Sequence, residues 1–378
     1  MKKALIVANL GGFVDFLHGD VDILSSMGYE VSYAANLSAV EWERGKGILD
    51  KKGTQYHDIC FDSQNPFSKQ NREALKQLKK LLENKYDLIH CHTPIAGVLT
   101  KIAAIPYRKK GTRVIYTTHG FAFTETTGFK SWAVFYTMEK LTSLLCDAII
   151  TINKEDYKNA KRMFCKHVYY INGMGVKTEV YADAEIDRDE YRKSIGVNKD
   201  EIMVLSLGEL SVRKNHEVIV RAIGSLPDKE KYAYVICGVG INGGTGEKLQ
   251  QLAKEFGVNL KMLGYRYDIP ELLKCSDIGA LPSIREGLGL AGIQSLAAGI
   301  PVVATNVQGI KDYVINGETG YLSGAFDVDG FAVALQKLAD YDTRLTMKDS
   351  CRKKAKEFDD QISMEQRTKI YEAETSNR

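Results

Sequence analysis

The chain is expected to fold as two α/β domains, each a doubly wound parallel sheet of the Rossmann-like kind, facing each other across a cleft. Three observations carry this expectation. Its 378 residues exceed the roughly 150 of an average domain. Short apolar runs alternate with amphipathic stretches along the whole chain, as parallel sheets with helical crossovers require. A polar, charged connector around 181–193, containing ADAEIDRDE, separates two such series. The expected domains are therefore residues 1–183 and 184–350. A helical tail, 351–378, is expected to pack back on the first.

The elements follow in order. The apolar run at Ala4–Ala8 predicts a first strand, and a helix runs from there to about Met27. Met1-Lys2-Lys3 followed by ALIVANL imitates the charged head of a signal peptide. The run is short and ends at Gly11-Gly12, so it reads as a strand. Tyr29–Ala35 predicts a second strand, Lys69–Lys85 a helix, and Asp87–His92, Arg113–His119 and Ala148–Asn153 three more strands. After the connector come strands at Met203–Leu207, Tyr234–Cys237, Asn259–Leu263, Ile278–Leu281 and Pro301–Thr305, with helices between them. Arg344–Ala373 reads as one charged helix. The stretch from Gly287 to Ile310 has no charge, but its glycines, Pro301 and Gln294 argue against a membrane span.

Composition narrows the function. Hydrophobic residues make up 44% and charged residues 26%, which suits a globular protein and excludes a wholly disordered one. The net charge of +3 is too balanced for an obligate nucleic-acid binder. Residues 1–180 carry a basic excess and the remainder an acidic one, as expected of two domains with different partners. Seven cysteines without a CxxC spacing predict reduced, buried thiols in a cytoplasmic protein.

Several constellations bear on chemistry. Arg213-Lys214 follows a strand end and precedes a helix, a place where a point charge and a two-pronged donor suit a phosphate. The segment Ser283–Gln294 joins a strand to a helix. Its Gly287 and Gly289 let backbone N–H groups approach an anion at a helix N-terminus, and Glu286 offers acceptor oxygens to hydroxyl groups. Gly11-Gly12 and His119 lie at strand ends of the first domain that would face the cleft. Lys69, Arg72, Lys76, Lys79 and Lys80 form a basic stripe, readable as a solvated face or as a contact with anionic lipid. His90 and His92 share one side of a strand but lack an evident third ligand. The Asp-x-Asp pairs at 20/22, 187/189 and 327/329 read as structural, the last as a helix cap. Gly238–Gly243 matches GxGxxG after a strand, which would suit a nicotinamide oxidoreductase. The acid expected at the end of the next strand is missing, since Leu263-Gly264-Tyr265-Arg266 stands there.

At these residues the chain resembles the family 4 glycosyltransferases and their two-domain GT-B fold, over nearly its full length. EGLGLAGIQSLAAGIPVVATNVQGIKDYV resembles the family's Glu-x7-Glu region, and LGELSVRKN its strand-to-lysine phosphate motif. DLIHCHTPIAG, VIYTTHGFAF and DAIITINKEDY resemble the bacterial branch that makes capsule and exopolysaccharide. The resemblance implies a retaining transfer from a nucleotide-sugar, UDP-linked, to a polyprenyl-diphosphate-linked sugar, and fixed cations with helix-terminal N–H groups suit a transfer that needs no metal. No cofactor, metal or nucleic acid is expected, and the enzyme would work peripherally at the inner face of the plasma membrane. It assigns His119 and Glu286 to the reacting sugar. It assigns Gly11, Gly12, Arg213, Lys214, Tyr265, Arg266, Gly287, Leu288, Gly289, Leu290 and Gln294 to the donor. Three positions depart from the pattern: Gln294 replaces the second acid, Glu209 stands where many relatives have Arg, and Ala122 where this branch often has a second His. Those departures leave open a nucleotide-binding protein without transferase activity.

Overall fold

The computed structural model describes residues 1–38, 42–63, 65–240 and 244–376. They form two compact units, Met1–Gly175 with Gln361–Arg378, and Val176–Asp360. The first unit holds seven strands: β1 (Lys2–Leu10), β2 (Tyr29–Asn36), β3 (Gln55–Asp58), β4 (Leu88–His92), β5 (Arg113–Thr118), β6 (Ala148–Thr151) and β7 (His167–Tyr170). Their order is β3-β2-β1-β4-β5-β6-β7, and every pairing is parallel. The second holds β8 (Ile202–Leu207), β9 (Tyr232–Cys237), β10 (Asn259–Met262), β11 (Ile278–Leu281), β12 (Val302–Thr305) and β13 (Gly320–Ser323). Their order is β10-β9-β8-β11-β12-β13, again all parallel.

Both sheets reverse direction beside their first strand, at β1/β4 and at β8/β11. The carboxyl ends at such a switch point diverge and leave room for a ligand. Strands covered on both faces must be apolar throughout. Ala4–Ala8 in β1 and Tyr232–Ile236 in β9 are accordingly fully buried. The strands absent from the sequence reading, β3, β7 and β13, all lie at or beside a sheet edge, where burial is partial. Their sequences QYHD, HVYY and GYLS are too mixed to announce a strand.

The C-terminal tail is two helices, Tyr341–Lys356 and Asp360–Ser376, where one was expected. Between them Phe358 O accepts from Val176 N at 3.0 Å, and Asp360 N donates to Val176 O at 3.1 Å. The chain leaves helical register there, beside the passage between the units at Asp360/Gln361; their other passage is at Gly175/Val176. Cys351 thus belongs to the second unit, and the last helix to the first. Among the described residues no helix is long and apolar enough to cross a membrane.

Candidate active site

In the second unit the carboxyl end of β8 leads into a loop that places two cations. Gly208 follows the strand with φ +147°, and a Cβ there would lie 2.9 Å from Lys214 Cε, so glycine gives the lysine its seat. Ser211 Oγ accepts from Lys214 N at 3.3 Å. Asn215 adopts the left-handed conformation, φ 54°, and donates to Pro282 O at 3.1 Å and Ala325 O at 2.6 Å. Ile284 N donates to Arg213 O at 2.8 Å. The Arg213-Lys214 loop is therefore fastened to the end of β11, across the switch point.

Glu286 closes the arrangement. Its Oε2 accepts from Lys214 Nζ at 2.9 Å and from Arg213 Nη1 at 3.1 Å. Burial alone would raise its pKa. The charges of Lys214 and Arg213, with hydrogen bonds from Lys214 and Ser283, outweigh burial and hold it below the usual carboxylate range. Arg213 Nη2 also donates to Glu209 Oε1 at 3.0 Å, which Ser211 Oγ reaches at 2.8 Å. Glu209, noted in the sequence only as a departure, thus orients the guanidinium.

The turn after Glu286 is packed by backbone. Gly289 has φ +77° and opens the helix Leu290–Ala297, while Tyr313 Oη donates to Gly289 O at 2.9 Å. A Cβ on Gly309 would fall 2.2 Å from Gly287 O. Leu288 is buried, so its side chain is taken up by packing. The positive end of the Leu290–Ala297 helix dipole lies just beyond Gly287–Gly289. Within that helix, Gln294 Nε2 donates to Tyr181 Oη at 2.8 Å. Tyr181 comes from the helix Thr178–Ala182 and carried no sequence signal.

The remaining donor candidates are less committed to this cluster. Tyr265 is exposed and edge-on to Tyr267, ring centroids 5.1 Å apart. Arg266 Nε donates to Asp268 Oδ1 at 2.8 Å, and its Nη2 to Tyr191 Oη at 3.3 Å. The hydrogen bond from Arg266 pulls the Asp268 carboxyl down to about 2. The Arg266 side chain is engaged by Asp268 and Tyr191. Gly238, the first glycine of the GxGxxG turn, has a packing reason: a Cβ would lie 1.9 Å from Gly208 O. Positions 241–243 of that turn lie outside the described residues.

In the first unit β1 ends at Gly11-Gly12. A Cβ on Gly11 would meet Trp42 Cε3 at 2.7 Å, so the glycine there serves close packing. β4 and β5 bring three histidines together. His90 and His92 are buried, and His119 partly so. Their bonding order fixes a tautomer. Tyr371 Oη donates to Asp20 Oδ1 at 2.8 Å, so it accepts from His90 Nδ1 at 2.6 Å; His90 Nε2 then accepts from Thr117 Oγ1 at 2.7 Å. His92 Nδ1 meets His119 Nε2 at 3.1 Å, and His92 Nε2 is buried without a hydrogen-bond partner among the described residues. An orphaned acceptor costs less than an orphaned N–H. His92 therefore donates through Nδ1, and His119 keeps its proton on Nδ1.

Asp20, His90 and His92 also place one ligand atom each within 4.8 Å of one another. Asp20 Oδ2 accepts from Arg367 Nη1 at 2.9 Å. With both carboxylate oxygens and both His90 nitrogens bonded, and a buried guanidinium alongside, this is a hydrogen-bond network tying the last helix to the sheet. The other Asp-x-Asp pairs are structural too. Asp187 and Asp327 cap helices, accepting from Glu190 N at 3.0 Å and Gly330 N at 2.9 Å.

These histidines make stability depend on pH. Burial lowers His90 and His119 to about 4, and His92 well below its ordinary value. Between pH 6.5 and 4 the unfolded chain then binds more protons than the folded one, so stability falls as the pH falls. For His90 and His119, lowered to about 4, the loss is expected to reach at most about 3 kcal/mol each. Calorimetric melts from pH 7 to 4.5 check this, and a flat profile contradicts it.

The basic stripe is present on the helix Lys69–Leu81, where Lys69, Arg72, Lys76, Lys79 and Lys80 are exposed. Lys76 is paired with Glu73 at 3.1 Å.

Comparison with known proteins gives a consistent picture. Residues 187–358 match the family described as Glycosyl transferases group 1, and residues 21–171 match Glycosyltransferase Family 4. The chain is 34% identical over 359 residues to "Putative glycosyltransferase EpsD" of Bacillus subtilis, covering 92% of this chain and 90% of that protein. It is 31% identical over 304 residues to the UDP-Gal:alpha-D-GlcNAc-diphosphoundecaprenol alpha-1,3-galactosyltransferase of Escherichia coli, covering 75% and 74%. Anabaena Alr3699/HepE in complex with UDP-glucose superposes with a TM-score of 0.81 at 18% identity, covering 99% of this chain and all of that one. At that identity the likeness shows a shared fold.

Proposed function

The chain belongs to the family 4 glycosyltransferases, and on that premise we propose that it moves a hexosyl or N-acetylhexosaminyl group, with retention, from a UDP-sugar to a polyprenyl-diphosphate-linked sugar in bacterial surface-polysaccharide assembly. The observation that carries the reading is Glu286 held between Arg213 and Lys214 at the β8/β11 switch point. Two cations fastened in place and sharing one carboxylate are a site prepared for a diphosphate. The Escherichia coli relative is named for a lipid-diphosphate acceptor, and the Anabaena protein was solved with UDP-glucose. Both support the choice of substrates. The work would be done at the inner face of the plasma membrane.

In this reading the bond from the sugar's anomeric carbon to the β-phosphate oxygen breaks as the acceptor hydroxyl oxygen bonds to that carbon. The hydroxyl proton passes to a phosphate oxygen of the departing UDP. Charge grows on the diphosphate, and Arg213, Lys214 and the amides at Gly287–Leu290 stabilise it without having to reorganise. Glu286, displaced from the cations, accepts hydrogen bonds from donor-sugar hydroxyls. His119, neutral, donates from Nδ1 to the same sugar. Gly11 and Gly12 border the donor, and the backbone of Tyr265 and Arg266 contributes on the nucleotide side. No metal is assigned a role. A screen of UDP- and GDP-sugars in EDTA, with product configuration read by NMR, tests the reading. Turnover of a UDP-sugar with retained configuration is expected. An inverted product or a GDP-sugar requirement contradicts it.

Gln294 is assigned to the ribose. Replacing it with Glu lets the Tyr181 hydroxyl turn from accepting to donating, and gives the ribose a charged acceptor. Gln294→Glu is expected to tighten UDP binding by about 1–2 kcal/mol. Equal affinity of the two proteins in one buffer would leave Gln294 with no role beyond holding Tyr181.

A further inference from the structure

Residues 129–145 of the first unit form a continuous helical run whose outer face is apolar. It includes a π-helical turn at Trp132–Tyr136. Trp132 and Tyr136 turn inward onto Phe123, with ring centroids at 5.2 and 5.3 Å, and Trp132 Nε1 donates to Thr124 O at 3.0 Å. With those two rings turned in, Phe129, Val134, Leu141 and Leu144 are left outward, 57–85% exposed. The loop after the helix Lys154–Ala160 lies against this run: Phe164 N donates to Ser143 Oγ at 2.9 Å, and Lys140 Nζ sits 5.0 Å from the Phe164 ring. Phe164 is itself half exposed and flanked by exposed Lys161, Arg162 and Lys166.

The charges here have one sign. The single acid between positions 128 and 146, Glu139, is buried; it accepts from Tyr116 Oη at 3.0 Å and lies 3.6 Å from Lys101 Nζ. Outward-facing apolar side chains ringed by cations, with the acid turned in, complement the anionic headgroups and acyl boundary of a bilayer. We propose that this surface, Phe129–Leu144 with Lys161–Lys166, is the face by which the protein docks on an anionic membrane. The choice of a membrane rests on the lipid-linked acceptor proposed above. The Lys69–Lys80 stripe is the weaker candidate. Its apolar residues Ala74, Leu78 and Leu81 are buried, so beyond Phe67 it offers charge without an anchor.

Co-sedimentation of the full chain with phosphatidylglycerol vesicles, and with phosphatidylcholine vesicles as the neutral control, tests the proposal. The wild type is expected to bind the anionic vesicles only. Leu141→Glu with Leu144→Glu should lower partitioning at least about tenfold, and Lys161→Glu with Lys166→Glu by about fivefold per cation removed. Lys76→Glu with Lys79→Glu should change it less than either. UDP affinity should be the same in all the variants, which also verifies their folding. Wild-type binding by the Leu141/Leu144 variant overturns the proposal, as does a dimer that this variant dissociates with no vesicle binding by either protein. Vesicle binding through this face without transfer to a lipid-linked acceptor would sink the proposed reaction and leave the docking face standing.

Discussion

Lys214→Ala is expected to weaken UDP binding by about 1.5–3 kcal/mol, the range for a hydrogen bond to a charged group. The ammonium is held at the seat made by Gly208 and aimed at the Glu286 carboxylate, 2.9 Å away. A diphosphate entering the site takes over that contact, so its loss falls directly on the nucleotide. Glu286 would keep Arg213 as a partner, which limits damage to the fold. Isothermal titration of both proteins reads the difference, and equal affinity would remove Lys214 from the site.

Glu286→Gln should act in the opposite direction on the two observables. In the free protein the carboxylate is paired with both cations, so a diphosphate must compete with it. The amide competes less, and UDP should bind as well as to the wild type, or up to about 1 kcal/mol tighter. Transfer should nevertheless fall by roughly 10–150-fold in kcat/KM, since the charged acceptor for donor-sugar hydroxyls is gone. A variant that lost UDP affinity while keeping kcat/KM at saturating donor would reverse the roles given to Glu286 and Lys214.

How much of this was legible in the sequence depended on range. β1 and β9 announced themselves because a central parallel strand is apolar at every position. The edge strands β3, β7 and β13 did not, because half-buried residues carry no such demand. Arg213, Lys214 and Glu286 could be singled out one by one, since a strand–turn–helix that meets an anion has a local chemistry of glycines and cations. Their convergence on one carboxylate oxygen is tertiary, and only the fold reveals it. The same is true of Gln294 with Tyr181, 113 residues apart, and of Arg367 with Asp20, 347 apart. The GxGxxG turn shows the converse. Its first glycine has a local pattern that suggests a cofactor, but what it answers to is the backbone of Gly208.

The diphosphate site is tested most directly by titrating UDP into the full chain in EDTA, followed calorimetrically. One-to-one, saturable binding is expected without any divalent ion, with NAD giving no heat at the same concentrations. Absence of UDP binding, or binding that appears only after magnesium or manganese is restored, would contradict a site built from Arg213, Lys214 and the Gly287–Leu290 turn.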